Sequence, residues 1–242
     1  MKLDDIKKLH QKKYRQQFGH FIVEGEHVVL ELQKAIQRYP ALAQSQLYVT
    51  EAYQHWSSPF KTQLISEKQF RQIADTESPQ GILAVVPLLP THAETGDSEG
   101  MRCIYLHEIQ DPGNLGTILR TLAWFGGFRV LLSPDSVDPY NPKVIRASMG
   151  AIFHVPIELD VPWSALTKRF TSVAILDLHG ASIRSDKFKD YYCYAFGNEA
   201  RGLPEALRAD SRSERFTIEG AMQVESLNLA AAVNISAYEL AR

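Results

Sequence analysis

From residue 101 to residue 242, apolar runs alternate with helix-periodic stretches, and three of those runs break into polar loops. They are HEIQDPGNLGTILRTLAWFG (107–126), AFGNEARGL (195–203) and VESLNLAAAVNISAYEL (224–240). A run such as SVAILDL is almost continuously apolar and leaves no solvent face, so its alternation with helices predicts a parallel sheet covered on both sides. The predicted order is CIYLHEI, a helix from about Asn114 to Phe125, FRVLLS, a helix around NPKVIRASMG, a short FHVPI strand, WSALTKRF, SVAILDL, YYCYAFG, FTIEG and a terminal helix from Leu227. Ligands of such sheets bind at the carboxyl ends of strands. All three polar loops fall there, which predicts one shared site.

The first 90 residues have a different rhythm. A basic amphipathic helix is predicted at the start, with Lys7, Lys8, Lys12, Lys13 and Arg15 around Ile6, Leu9 and Tyr14. It is either a solvated face or a phosphate-contacting patch. FIVEGEHVVLELQKAI (21–36) follows as strand, Gly25 turn and helix, then QLYVT (46–50), TQLISEKQFRQIAD (62–75) as strand into helix, and QGILAVVPL (80–88). This predicts a small α/β or α+β unit over 1–90. LPTHAETGDSEG (89–100) lacks apolar periodicity, so 91–100 is predicted as a linker to a second domain at 101–242.

Composition narrows the function classes. The formal net charge of -2 argues against a protein that coats nucleic acid through bulk positive charge, so any such contact must be a local patch. Cys103 and Cys193 both sit in apolar runs, and neither a disulfide framework nor a metal cluster is expected from them. The N-terminal residues lack the apolar core of a secretory signal and no apolar stretch reaches membrane-spanning length, so a cytoplasmic protein without membrane contact is expected. DPGNLG lacks the glycine spacing of a dinucleotide-binding loop. GNEARG is followed by Leu203-Pro204 where a phosphate-binding loop requires Lys and Ser or Thr.

In order and spacing, the Asn-x-Gly-x-x-x-Arg loop, the Gly-Asn-Glu-x-x-Gly loop and the Ser-Leu-Asn helix start resemble the three motifs of the SpoU (TrmH) branch of the SPOUT superfamily. These are S-adenosylmethionine-dependent RNA methyltransferases that modify ribose 2'-hydroxyls, and the resemblance covers residues 101–242. It implies a C-terminal trefoil knot, S-adenosylmethionine as cofactor, ribosomal or transfer RNA as substrate with no DNA expected, and a homodimer paired through the last helix. The first unit resembles the small substrate-binding domain, related to ribosomal-protein-like RNA-binding folds, that many such enzymes carry.

Methyl transfer from a sulfonium to a ribose hydroxyl requires in-line alignment and an outlet for the hydroxyl proton. The resemblance makes Asn114 and Arg120 the catalytic pair, and a helix starting in the loop would let both face one pocket. A guanidinium is a poor base, so Arg120 is expected to orient the hydroxyl and stabilise developing alkoxide charge, with an RNA phosphate or a water taking the proton. Glu199, Ser226 and Asn228 complete the implied catalytic set. Asn114 and Ser226 also suit helix N-caps. Gly197, Asn198, Gly202, Ile218 and Leu227 are the implied cofactor-binding residues. RNA contacts are expected from Lys8, Lys12, Lys13, Arg146, Ser148 and Arg201. One departure stands out: Ile218-Glu219-Gly220-Ala221-Met222-Gln223 replaces the usual Ile-Pro-Met turn, removing a rigid proline and adding a carboxylate. That departure keeps open a catalytically inactive RNA-binding protein on the same scaffold, and a base-methylating relative is the third reading. Intact Asn114, Arg120, Glu199, Ser226 and Asn228 favour the enzyme.

Overall fold

The computed structural model describes residues 1–90, 100–221 and 223–242. The predicted linker at 91–100 therefore lies outside the described residues except for Gly100, as does Met222 of the altered third motif. The chain divides into two compact units: Met1–Pro90 with Asp138–His154, and Thr91–Val137 with Val155–Arg242.

In the first unit, α1 (Leu3–Lys8) and α2 (Lys12–Phe18) replace the single basic helix expected. The chain breaks at 9–11, and α2 ends at Gly19 in the left-handed region. Then come β1 (His20–Glu24), α3 (Glu26–Ala35), β2 (Gln46–Val49), β3 (Lys61–Leu64), α4 (Glu67–Ile73) and β4 (Ile82–Pro87). Ser66 starts α4 by a capping box with Gln69, which fixes where strand gives way to helix. The sheet order is β1-β4-β2-β3, with only the β2–β3 pair parallel. One face buries Ile22, Tyr48, Leu83 and Val85 against Ile6, Leu9, Phe70 and Ile73. On β1 the alternate residue Phe21 meets Tyr140 and Phe153 instead, with ring centroids 4.8 Å and 6.4 Å away. Strand alternation thus sends Ile22 to one layer and Phe21 to the other.

The segment Asp138–His154 carries further ties to this unit. Arg15, 3 % exposed, donates from Nε and Nη2 to the Asp138 carboxylate and from Nη1 to the Leu9 carbonyl. Arg146 pairs with Asp75, and His154 with Glu31. Arg15 is therefore a buried structural cation and no part of an exposed basic face.

The second unit contains β5 (Arg102–Leu106), α5 (Pro112–Phe125) and β6 (Phe128–Leu132); after α6 (Pro142–Ser148), counted with the first unit, come β7 (Ile157–Glu158) and α7 (Trp163–Arg169). β8 (Val173–Ser182), β9 (Cys193–Phe196), α8 (Glu205–Arg208), β10 (Ser213–Thr217) and α9 (Leu229–Ala241) complete it. The sheet order is β10-β8-β9-β5-β6-β7 and every pair is parallel, as the apolar runs predict. Cys103, Tyr105, Ile175 and Ala195 pack with Leu166 and Trp163 of α7, while α5 and α9 pack together. The predicted FHVPI strand shrinks to Ile157–Glu158, because Phe153 closes a short 3-10 turn. The β8–β10 register shifts between Arg215 and Phe216, and Gly180 sits where a Cβ would lie 2.4 Å from the Arg215 carbonyl oxygen. Only glycine allows that approach.

Candidate active site

Sequence neighbours β5 and β6 lie on one side of the sheet's midline, while β9 and β8 lie on the other side of β5. The strand order reverses there, and a crevice at the carboxyl ends of the strands follows. A cleft of ≈ 390 Å³ opens at that point, lined by Gln110, Asp111 and Asn114 after β5, residues 198–200 after β9, and residues 226–229 at the start of α9.

The first loop ends in α5, whose N-cap is Asp111: its carboxylate accepts from the Asn114 amide N–H at 2.7 Å, and Pro112 follows as a pre-set first helical residue. Asn114 is therefore free of the capping role the sequence allowed it. Its side-chain Nδ2 donates to Glu199 Oε1 at 3.2 Å, and its Oδ1 accepts from Asn228 Nδ2 at 3.0 Å. Glu199 also accepts from the main-chain N–H groups of Gln110 and Asp111, at 3.2 Å and 3.1 Å. Three loops are thus tied by one chain of side-chain hydrogen bonds, Asn228 to Asn114 to Glu199. Asn228, and not Ser226, caps the last helix, which begins at Leu229. Ser226 lines the cleft with its hydroxyl in no hydrogen bond among the described residues.

The loop holding Glu199 is rigid for local reasons. Asn198, 7 % exposed, accepts on Oδ1 from the N–H groups of Ala200 and Arg201 and donates from Nδ2 to the Glu108 carbonyl. A backbone bridge joins Asn198 to Gly202, and Gly202 has φ +65°. Gly197 packs so closely that a Cβ would lie 2.2 Å from the Gly202 carbonyl carbon. Asn198 thus shapes the loop while touching the cleft, and Gly197 and Gly202 shape it from behind.

Several expected residues lie elsewhere. Arg120 is exposed, lies outside the cleft lining, and has no hydrogen bond or ion pair among the described residues. Helix geometry accounts for this: six residues at 100° each leave Arg120 about 120° around α5 from Asn114. Ile218 lines a second cavity of ≈ 330 Å³ with Ser182, Glu219 and Tyr238. The Glu219 carboxylate of the altered third motif accepts from the Ser182 hydroxyl at 3.1 Å, which holds it beside β8. Ser148 is fully buried and donates to the Ile145 carbonyl, so its hydroxyl is closed to RNA phosphate. Arg146 is engaged by Asp75, Lys8 by Asp5, and Lys12 and Lys13 are exposed. Arg201 is 72 % exposed and paired with Glu108 at 2.6 Å. Sequence reasoning missed Asp111, Gln110 and Glu108; the Asp-Pro pair ahead of a helix was the available signal for the first.

Residues 101–238 match the SpoU rRNA Methylase family, and residues 2–84 match the MRM3-like substrate binding domain. The chain belongs to the SpoU rRNA methylase family. It is an S-adenosylmethionine-dependent RNA methyltransferase. Among its relatives, a Bacillus subtilis protein named 23S rRNA (guanosine(2553)-2'-O)-methyltransferase RlmP is 30% identical over 246 residues, covering 99% of this chain and 95% of that one. A solved TrmH-family structure from Porphyromonas gingivalis matches at TM-score 0.81 and 29% identity, covering 98% of this chain and 96% of the other. The AdoMet-bound rRNA methyltransferase from Sinorhizobium meliloti matches at TM-score 0.81 and 25% identity, over 98% of this chain and 93% of that one.

The chain's own residues fit this donor. Leu227, 47% exposed, lines the cleft and offers an apolar surface of the kind an adenine needs.

Proposed function

We propose that this methyltransferase acts on a ribose 2'-hydroxyl of structured RNA, ribosomal or transfer, and works in the cytoplasm as a homodimer. The observation that carries this reading is the hydrogen-bonded chain Asn228–Asn114–Glu199 running along the cleft next to Ser226. It is a set of neutral amides and one carboxylate, suited to orienting a hydroxyl nucleophile rather than to activating a base carbon. The relative RlmP, whose name states a guanosine 2'-O-methylation of 23S rRNA, supports ribose chemistry and favours ribosomal RNA.

Bound S-adenosylmethionine supplies an electrophilic methyl group. The loops around 197–202 and 226–228 would hold it, with Leu227 against the base and Asn198 keeping the second loop closed. Glu199 fixes the first loop through the Gln110 and Asp111 N–H groups and fixes the rotamer of Asn114, so the Asn114 and Ser226 polar groups meet the ribose already aligned. Arg120 stabilises charge developing on the ribose oxygen, and an RNA phosphate or water accepts the proton. Because Arg120 lies outside its own chain's cleft lining and shares the α5 surface with Trp124, 85% exposed, it would act across a dimer contact. Pairing through α5 and α9 would cover Trp124, Ile235 and Tyr238.

Mapping 2'-O-methyl positions in ribosomal and transfer RNA from cells with and without this gene tests the reaction. One position should lose its mark. Retention of every 2'-O-methyl mark, or loss of a base methyl group instead, would overturn the ribose reading. Sedimentation of a 27.3 kDa monomer at micromolar concentration would remove the dimer from it.

A further inference from the structure

Glu108 is one of four described non-glycine residues with positive φ, at +49°, and it stands two residues beyond the end of β5. A left-handed glutamate is costly and persists only where its surroundings hold it. Here they do. Its N–H donates to Ser133 Oγ at 2.7 Å, and its carbonyl accepts from Asn198 Nδ2 at 2.8 Å and Gln110 Nε2 at 3.0 Å. Held this way, the side chain extends to the next loop, where its carboxylate meets Arg201 Nη2 at 2.6 Å. That is the sole hydrogen-bond or ion-pair partner of the Arg201 guanidinium among the described residues, and Arg201 directly follows Ala200 of the cleft lining.

We propose that Glu108 is an internal stand-in for RNA phosphate: its carboxylate occupies Arg201 in the free enzyme and is exchanged for a backbone phosphate when RNA enters the cleft. This rests on the reading of Arg201 as an RNA contact. The chemistry of the exchange is balanced in charge. A guanidinium fork bonds a carboxylate or a phosphate oxygen pair equally well in geometry. An exposed ion pair is weak, so a phosphate delivered by a bound polyanion displaces it. The exchange also has a salt signature. A free Arg201 would contribute a full phosphate contact to counterion release, whereas a pre-paired Arg201 leaves Glu108 to recruit a cation when displaced, cancelling part of that release. The function served is discrimination: stray anions meet a neutralised arginine, and only RNA anchored elsewhere opens it. Glu108 is thereby a positioning residue for Arg201.

The test uses the full-length protein and a fluorescently labelled oligouridylate, titrated across a range of salt. Glu108→Gln should tighten binding at low salt by up to about fivefold, the scale of one exposed ion pair, and steepen the log-log salt slope by a fraction of the roughly 0.7 that one whole single-strand phosphate contact contributes. In an Arg201→Ala background the same change should do nothing. Glu108→Gly, matched to the positive φ, carries the same expectation and serves if the glutamine variant disturbs the loop; affinity for S-adenosylmethionine reports that disturbance. If Arg201→Ala leaves affinity and slope unaltered, the assignment of Arg201 to RNA fails. If Arg201→Ala weakens binding while both Glu108 variants keep the wild-type slope, Arg201 stands and the phosphate stand-in is overturned.

Discussion

Asn228 holds Asn114 through a single side-chain hydrogen bond of 3.0 Å, while its own Oδ1 caps the last helix by accepting from the Ala231 N–H. One residue thus performs a stability task and a positioning task with different atoms. Asn228→Asp keeps the capping oxygen and deletes the donor. Stability should stay within about 0.5 kcal/mol, since Asp and Asn cap equally well, and the single-turnover methylation rate should fall at least about tenfold. Asn228→Ala should add a loss of about 1 kcal/mol in stability. Calorimetric melting beside single-turnover assays separates the two tasks; an unimpaired rate in Asn228→Asp would dismiss the hydrogen-bonded chain as a catalytic element.

Arg120→Ala should leave S-adenosylmethionine affinity near wild type and lower the methylation rate by at least about a hundredfold, on the order of 3 kcal/mol for one charge-stabilising group. Arg120→Lys should restore little, because an ammonium lacks the planar donor fork. The check is a single-turnover assay with saturating RNA and cofactor, and a wild-type rate for Arg120→Ala there would strike it from the site.

Arg15 and the lysines beside it should behave in opposite ways. Arg15→Ala strands the Asp138 carboxylate, 12% exposed, and should cost about 3 kcal/mol of stability. Replacing Lys8, Lys12 and Lys13 with Ala should leave the melting temperature nearly unchanged. The salt dependence of RNA binding should flatten by about 0.7 to 0.9 in log-log slope for each phosphate the lysines no longer neutralise. An unaltered salt slope would make that surface a bystander.

Burial raises the Tyr194 and Tyr105 phenols from 10.0 to about 12. A raised folded-state value means the fold retains protons the unfolded chain has released. The stabilisation is complete below pH 10.0 and disappears as pH climbs toward about 12. In that window each phenol should contribute a fall of about 1.4 kcal/mol per pH unit. Tyr194→Phe should remove one share of the slope while costing stability at neutral pH, since the hydroxyl donates to the Phe188 and Tyr191 carbonyls. Urea titrations at a series of alkaline pH values would show it; an equal slope in the variant would contradict the assignment.

The parallel sheet was legible because β6, β9 and the first three residues of β8 are buried enough to read as apolar runs, and the three polar loops were legible because glycine and amide residues interrupt those runs. Other features depend on residues distant in sequence. Arg15 reads as one more surface cation until Asp138 comes to meet it. Ser226, Asn228 and Asn114 all have cap-competent side chains, and only the placement of Asp111 and of α9 decides which of them cap. Arg120 shows the limit of counting turns: helical spacing fixed its angle relative to Asn114, and the cleft lies on one side only.

The closing of the first unit's sheet by Tyr140 and Phe153 has a consequence for synthesis. The segment carrying those rings is translated only after β5, α5 and β6, so on the ribosome Phe21 waits with one side unclothed while more than a hundred residues are added. The two units are not successive cassettes. A gene fusion or recombination joint placed in the stretch after Pro90 would part the amino-terminal sheet from a piece of its own covering.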